Sequence, residues 1–187
     1  MRDVHDPDRR VRRTRKQVLD AFGDLVFTDR YERISVSDIA DRANVGRSTF
    51  YENFENKEDV LRQALSAVFE PLADALTARH DPERLLRIVE HLANAPVRAS
   101  GLLTGRPRAM TLAHLSELIA ERLDEQRRRR GHVPVLPIPL LAAQIAGMQI
   151  GLLEAWLHDG AATTAADVAS ALVSASRALA EQAFRAP

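Results

Sequence analysis

The chain has 187 residues, of which 45% are hydrophobic, 28% are charged and 5% are aromatic; it has no cysteine and a formal net charge of zero. This balance is typical of a soluble globular protein. The lack of cysteine excludes a disulfide framework or a thiolate metal site. The lack of cysteine and of a signal-peptide pattern predicts an intracellular, cytoplasmic protein. No apolar run reaches the roughly 18 residues of a membrane span, so we expect no membrane partner.

Apolar spacing predicts helices along the chain and no strand, which indicates an all-α fold. The first helix starts near Arg9 and carries a one-sided apolar stripe. Ser35, with Asp38 three residues further on, begins a second, short helix as a variant capping box. After a tight turn at Gly46, a third helix is predicted from Arg47 to Asn53.

Two short helices joined by a tight turn form a helix-turn-helix, a motif that places its second helix in the major groove of DNA. The second helix of this motif carries side chains that can donate hydrogen bonds to bases and phosphates. These residues are Arg47, Ser48, Thr49, Tyr51 and Asn53. The start of the next helix, at Lys57, offers free N–H groups that suit a phosphate.

A basic run lies just before the motif and comprises Arg9, Arg10, Arg12, Arg13, Arg15 and Lys16. Such a run alone is equally a solvated helix start. Next to a helix-turn-helix it predicts attraction to phosphates that is independent of sequence. We therefore expect Arg12 and Arg13 to contact DNA.

The remainder of the chain is predicted to be helical as well. A long helix starts near Lys57, with a kink or break at Pro71. Four further helices are predicted over residues 82–94, 107–130, 139–158 and 165–184, each bounded by proline or glycine. We therefore expect two domains, a helix-turn-helix domain over residues 9–58 and a larger helical domain over residues 59–187.

The last two helices predict an interface. Residues 139–158 are apolar on nearly all sides, and Ala143, Gly147 and Gly151 recur at a four-residue spacing that lets another helix approach closely. The final helix carries Leu172 and Leu179 on one stripe. We expect a symmetric four-helix contact between two copies, with packing inside a single chain as the alternative.

Evidence for a ligand site in the sequence is limited to a few side chains of the C-terminal helices that could line a cavity. These are His91, Met110, His114, Met148 and Trp156. The histidines show no metal-ligand spacing, and no serine lies in a nucleophile-elbow pattern. We therefore expect no metal, no cofactor and no enzymatic activity.

The segment from Arg15 to Leu61 resembles the DNA-binding signature of the tetracycline-repressor (TetR/AcrR) family. The residues in register are Ile39-Ala40, Ala43, Val45, Thr49-Phe50-Tyr51, Phe54 and Lys57-Glu58. The resemblance implies an all-α fold with a three-helix DNA-binding domain, a homodimer formed mainly by the last two helices, and a ligand cavity in the larger domain.

The resemblance also implies roles for single residues. It makes Thr49, Tyr51 and Lys57 phosphate contacts, and it makes Ser37, Arg47 and Ser48 base readers. Three positions depart from the usual family pattern: Gly46 replaces a common serine, Ser48 a common glycine and Asn53 a common histidine. Glycine is an acceptable N-cap, so these changes affect mainly the operator sequence and the Asn53 contact.

Together these features predict a ligand-responsive repressor that binds a palindromic double-stranded DNA operator as a homodimer and is released by a small-molecule effector. Activation in place of repression stays open. The rival hypothesis is a helical homodimeric module that binds a ligand or protein without binding DNA. The retained donors Arg47, Thr49, Tyr51 and Lys57 favour the regulator.

Overall fold

The computed structural model describes residues 7–29, 31–94, 96, 103, 105–131, 133–159 and 162–184. Within these residues there are eight α-helices, one 3-10 turn and no strand, which confirms the predicted all-α fold. The helices are α1 (Pro7–Thr28), α2 (Val36–Arg42), α3 (Arg47–Asn53), α4 (Lys57–Asp74), α5 (Pro82–Ala93), α6 (Gly105–Arg130), α7 (Ile138–Asp159) and α8 (Ala165–Ala183). The 3-10 turn spans Tyr31–Arg33.

The chain divides into two compact units, the first ending at Leu65 and the second starting at Ser66. The division falls inside α4, whereas the sequence places the domain boundary after Glu58. The helix continues through Pro71 without ending there, although the missing N–H of a proline removes one helical hydrogen bond.

The first unit is built on aromatic packing among α1, α2 and α3. Phe22, Ile39, Phe50 and Leu61 are its largest fully buried side chains. The rings of Phe50 and Phe54 lie 5.7 Å apart, and Phe22 meets Tyr31 edge to face at 6.4 Å. Offset and edge contacts of this kind add stability beyond the area that they bury, so they fix α3 firmly against its neighbours.

Local hydrogen bonds set the start of α2 and the turn before α3. The Ser35 hydroxyl accepts from the Asp38 N–H, and the Asp38 carboxylate accepts from the Ser35 N–H at 2.7 Å, which confirms the predicted capping box. The Ser35 hydroxyl also donates to the Asp38 carboxylate at 2.6 Å. This bond first, and then the one from the Ser35 N–H, lowers the pKa of Asp38 below its usual range. Asn44 adopts a φ of 53°, and Val45 donates its N–H to the Ala40 carbonyl at 3.0 Å. The left-handed residue reverses the chain between the two helices.

The second unit is a bundle in which α6 packs on α7, α7 on α8, and α5 on α8. Its largest fully buried side chains are Leu72, Leu85, Leu115, Ile119, Leu123, Ile145, Ile150 and Leu153. Gln149 is also fully buried. Its Nε2 donates to the Leu72 carbonyl at 3.0 Å and to the Ser176 hydroxyl at 2.8 Å. One side chain thereby links α4, α7 and α8.

The helix α7 has the length and composition of a membrane-crossing helix over Ile138–His158, contrary to the expectation from sequence that no apolar run is long enough. The stretch carries only one charged residue, Glu154, before its histidine. In the structure Glu154 pairs with Arg108 of α6 at 2.8 Å, and Gln149 makes the interior hydrogen bonds just described. The core helix of a globular domain has the same length and composition. The contacts of Glu154 and Gln149 with neighbouring helices are typical of such a core helix.

Candidate nucleic-acid interface

Helix α3 exposes one polar face because the opposite face is anchored by a buried ring. Phe50 is fully buried, and Phe54, which follows the helix, is 2% exposed. The exposed residues of α3 are Arg47, Ser48, Tyr51 and Glu52. The residues that the sequence predicts for base and phosphate contact at the start and middle of this helix therefore share an accessible face.

The ring of Tyr51 rests on the core while the side chain remains accessible. It meets Phe50 edge to face with 5.4 Å between ring centroids, and the residue is 53% exposed. A tyrosine held in this way offers a hydroxyl to a phosphate with little loss of side-chain freedom on binding.

Thr49 and Asn53 are half-buried beside this face. The Asn53 amide Nδ2 donates to the Thr49 carbonyl at 2.8 Å, so its donor already serves the last turn of α3. A DNA contact from this amide nitrogen has to compete with that bond. The predicted base reader Ser37 lies on α2 and is half-buried.

The basic run divides between the outside and the inside of the first unit. Arg9, Arg10, Arg12 and Arg13 are exposed on the first turns of α1. Lys16 is also exposed and pairs with Asp20 at 2.6 Å. The exposed positive surface of α1 is therefore concentrated in the four arginines before Thr14.

Arg15 instead points inward and positions other elements. Its Nη1 donates to the Asn53 carbonyl at 2.9 Å, and its Nη2 donates to Gln63. Its guanidinium carbon lies 5.0 Å from the centre of the Phe54 ring. Arg15 belongs to the basic run in sequence, although its spacing from Val18 and Phe22 places it on the apolar face of α1. That spacing was the signal for its structural role.

Lys57 is held within the first unit as well. Its Nζ donates to the carbonyls of Tyr31 at 3.0 Å and Ile34 at 2.9 Å, and it lies 4.4 Å from the centre of the Tyr31 ring. Two of its three N–H donors are therefore used. The adjacent start of α4 is already capped, since Asn56 accepts from the Asp59 N–H at 2.8 Å.

Gly46 leaves α3 without a side-chain cap. A Cβ added there meets only the hydroxyls of Ser48 and Thr49, at 3.7 and 3.9 Å, and the φ of Gly46 is −68°. The backbone and the space thus accommodate the serine that is usual in the resembling family, and no close approach requires glycine.

The five predicted ligand residues have different surroundings in the second unit. His91 is exposed on α5, whereas Met110, His114, Met148 and Trp156 are half-buried. The His114 Nε2 lies 2.8 Å from the Ser66 hydroxyl, and Trp156 donates its ring N–H to a backbone carbonyl before α8 at 3.0 Å. None of the five lines either of the two cavities considered below.

The predicted interface residues divide in the same way. Ala143 is exposed, and Gly147, Gly151 and Leu179 are half-buried. A Cβ added at either glycine meets no atom within 4 Å, so packing within this chain does not require glycine there. Leu172 is fully buried, which corrects its assignment to the interface: its side chain packs in the core of its own chain.

Among the described residues, no group of three or more histidine, aspartate or glutamate side chains is arranged to hold a metal ion.

The comparisons with known proteins agree on the type of domain. Residues 27–64 match the family model described as bacterial regulatory proteins, tetR family. The chain is 34% identical over 100 residues to the uncharacterized HTH-type transcriptional regulator YxbF of Bacillus subtilis, a match that covers 48% of this chain and 26% of that protein. It is 46% identical over 48 residues to the HTH-type dhaKLM operon transcriptional activator DhaS of Lactococcus lactis, covering 26% of each. The chain thus spans about a quarter of the length of these curated relatives.

The fold is similar to solved structures over nearly the whole chain. A TetR transcriptional regulator from Streptococcus agalactiae matches with a TM-score of 0.56 and 25% identity, covering 91% of this chain and 97% of that one.

Proposed function

We propose that the chain is a DNA-binding transcriptional regulator of the TetR family of bacterial regulatory proteins, whose family model matches residues 27–64. The observation that carries the proposal is the exposed polar face of α3, with Arg47, Ser48 and Tyr51 accessible together. An arginine pairs with guanine in the major groove, and hydroxyls bind bases or phosphates. Arg12 and Arg13 on α1 add attraction to the phosphate backbone.

We assign secondary contacts to four further residues of the first unit. Ser37 reads a base, and Thr49 and Asn53 bind phosphates beside the exposed face. Lys57 contributes the third donor of its ammonium group or the N–H of the first turn of α4. These contacts add less to affinity than those of Arg47 and Tyr51, because each side chain is half-buried.

We propose that the regulator is a homodimer that binds a palindromic operator. Ala143, Gly147 and Gly151 form an open small-residue stripe on α7, and Leu179 of α8 is half-buried. Two copies that pair α7 and α8 form a four-helix contact. The dimer then presents two recognition helices to successive major grooves.

The dimer can be tested without DNA. Gly147→Trp adds a ring on the open side of α7, and we expect it to convert dimers to monomers in sedimentation equilibrium while far-UV circular dichroism stays unchanged. Ala113→Trp, at an exposed position of α6, is the comparison for adding a ring elsewhere in the second unit. Dimers that persist in Gly147→Trp would place the interface elsewhere.

We further propose that a small-molecule effector binds the second unit and releases the operator, so that the protein represses in the cytoplasm without cofactor or catalysis. Release requires that the effector bind one conformer better than the other. The relative DhaS is named as an activator, so the sign of regulation is measured with a promoter–reporter strain that carries or lacks the protein.

The DNA-binding proposal is tested with purified protein, labelled fragments of its own promoter region, a library of genomic fragments and random competitor across a salt series. We expect specific binding that weakens steeply as salt increases, because bound phosphates release counterions. The double variant Arg47→Ala, Tyr51→Ala should lose at least about tenfold in operator affinity. Arg87→Ala, an exposed arginine of α5, is the matched control and should bind as the wild type does.

Equal affinity for every genomic fragment and for random DNA would contradict this proposal. It would favour the rival helical module that binds a ligand or protein without DNA.

A further inference from the structure

A groove of about 450 Å³ lies between α5 and α8 in the second unit. Most of its lining residues are apolar, and Ser170 and Ser174 also line it. The apolar residues are Pro82, Leu85, Leu86, Ala166, Ala169 and Val173. Ligand cavities typically measure about 300–1,000 Å³ and combine apolar walls with a few polar groups. The groove therefore has the size and lining of a small-molecule site.

The polar end of this groove carries an arginine without an acidic partner. Arg177 donates to the Thr77 carbonyl at 3.3 Å and forms no ion pair with any carboxylate of the described residues.

The arginines near Arg177 all have acidic partners. A second cavity of about 390 Å³ shares Arg177 and is also lined by Arg79, Arg122 and Arg129. Those three arginines pair with Glu125, Asp74 and Glu125 respectively. Glu181 also lines this cavity but pairs with none of the four arginines, so Arg177 is the one of the four without an ion pair among the described residues.

His80 lines the groove together with Arg177 and brings no negative charge to balance the guanidinium. Its Nδ1 is buried and has no hydrogen-bond partner among the described residues. Burial first, and then the Arg177 guanidinium, lower the pKa of His80, against smaller opposing effects of Asp81 and Asp74. The imidazole is therefore neutral near pH 7, and it offers a polar atom beside the Arg177 guanidinium.

We propose that this groove binds a straight-chain monocarboxylic acid, with the carboxylate on Arg177 and the hydrocarbon chain against Leu86 and Val173. The guanidinium is the group that best matches a carboxylate, since its parallel N–H donors fit both oxygens. From Ala166 to Arg177 is eleven residues of α8, or about 16 Å at 1.5 Å per residue. An elongated apolar groove with one cation at its end fits an amphiphile with one charged end.

The groove stays accessible if the proposed dimer forms. Ser170, Val173 and Arg177 lie along the flank of α8 that faces α5. Ala171 and Ala178 are exposed on the other flank, because residues one position apart on a helix point about 100° away from each other. A partner helix on the alanine flank leaves the groove open.

None of the five ligand residues expected from sequence lines this groove, so the proposed site lies elsewhere in the second unit. As an account of the effector, the inference rests on the proposed function. The binding itself does not, because it is measured without DNA.

The test is isothermal titration calorimetry of the full chain with octanoate, with octan-1-ol and acetate as probes that keep only the chain or only the charge. We expect octanoate to bind at least about tenfold more tightly than either. Arg177→Gln should remove this preference, and Arg87→Gln, which makes the same change at an exposed arginine of α5, should retain it. Equal binding of octanoate and octan-1-ol by the wild type, or equal loss in both variants, would overturn the proposal.

A second variant guards against misfolding, since Arg177 also bonds to Thr77. Ser170 is exposed within the groove, so Ser170→Trp should block the chain of the acid and leave the circular dichroism unchanged. Bound octanoate should also raise the pKa of His80 in an NMR titration, because an adjacent anion favours the imidazolium. Octanoate that binds as tightly to Ser170→Trp and leaves the His80 pKa unchanged would place it outside the groove.

The role of the site is separated from its existence by a last measurement. Octanoate should weaken operator binding by the wild type and not by Arg177→Gln. Octanoate binding without any change in operator affinity would overturn the effector role alone. Absence of operator binding with octanoate binding intact would overturn the proposed regulator and leave the acid site standing.

Discussion

The two units use arginine in different ways. In the first unit Arg15 is turned inward to hold the end of α3, while Arg13 and Arg47 are exposed and form no ion pair with described residues. In the second unit Arg108 and Arg122 link helices through ion pairs at 2.8 and 2.7 Å. In this protein an arginine is therefore a candidate binding residue only where it is exposed and has no carboxylate partner.

The units also differ in what stabilises them. The first consists of short helices held by local caps and packed aromatic rings. The second consists of longer helices held by an aliphatic core with one buried polar link at Gln149. The following substitutions test that contrast, in order of decreasing effect.

Phe50→Ala should have the largest effect. The ring is fully buried, so its removal should lower the free energy of unfolding of the first unit by about 3–5 kcal/mol. Trp156 is the single tryptophan of the chain and lies in the second unit. Urea unfolding followed by far-UV circular dichroism should shift while the Trp156 fluorescence transition stays in place. Parallel shifts of both signals would show that the units unfold together.

Gln149→Ala should lower the free energy of unfolding of the second unit by about 2–4 kcal/mol, since it creates a cavity and leaves the Leu72 carbonyl and Ser176 hydroxyl short of a donor. The Trp156 fluorescence transition in urea measures the change. Gln144→Ala, an exposed position on the same helix, serves as the control and should alter stability little. Similar losses in both variants would mean that the buried link contributes nothing of its own.

Arg15→Met and Arg13→Met compare an arginine that holds the first unit together with an exposed arginine that is expected to bind DNA. Arg15→Met should cost about 1–2 kcal/mol of stability, because the half-buried guanidinium loses two hydrogen bonds. Arg13→Met should leave stability unchanged and reduce the salt slope of operator binding by about one. The measurements are urea unfolding and a salt titration of DNA affinity. If Arg15→Met reduced the salt slope of DNA binding without loss of stability, Arg15 would instead be a DNA contact.

Gly46→Ser should have the smallest effect, a gain of a few tenths of a kcal/mol from an added N-cap at α3. The added Cβ meets nothing closer than 3.7 Å. Thermal unfolding of the first unit provides the measurement. A loss of stability would indicate that the turn before α3 needs glycine for a reason other than space.

Helix positions were largely predictable from the sequence, since each rests on residues close together in the chain. The α3 prediction, Arg47 to Asn53, matches the observed helix, because Gly46 and Phe54 bound it locally. The α2 capping box was readable for the same reason. The continuity of α4 through Pro71 was not, because the packing of neighbouring helices outweighs the local penalty of a proline.

Residue roles were less predictable than helices. Leu172 and Leu179 share an apolar stripe in sequence, yet Leu172 is fully buried and Leu179 only half-buried. Periodicity shows which side of a helix is apolar, but it does not show whether that side packs on its own chain or a second copy. The basic run posed the same difficulty for Arg15, whose contacts lie 38 and 48 positions away.

The sequence by itself determined the all-α fold, the helix-turn-helix and the set of donors on α3, because periodicity, caps and turns depend on neighbouring residues. Only the tertiary structure decided which charges are compensated and which cavities exist. Arg177 and His80 are 97 positions apart and meet only because α8 packs beside α5. A site assembled from distant segments leaves no local pattern, whereas a recognition helix carries its pattern within a single element.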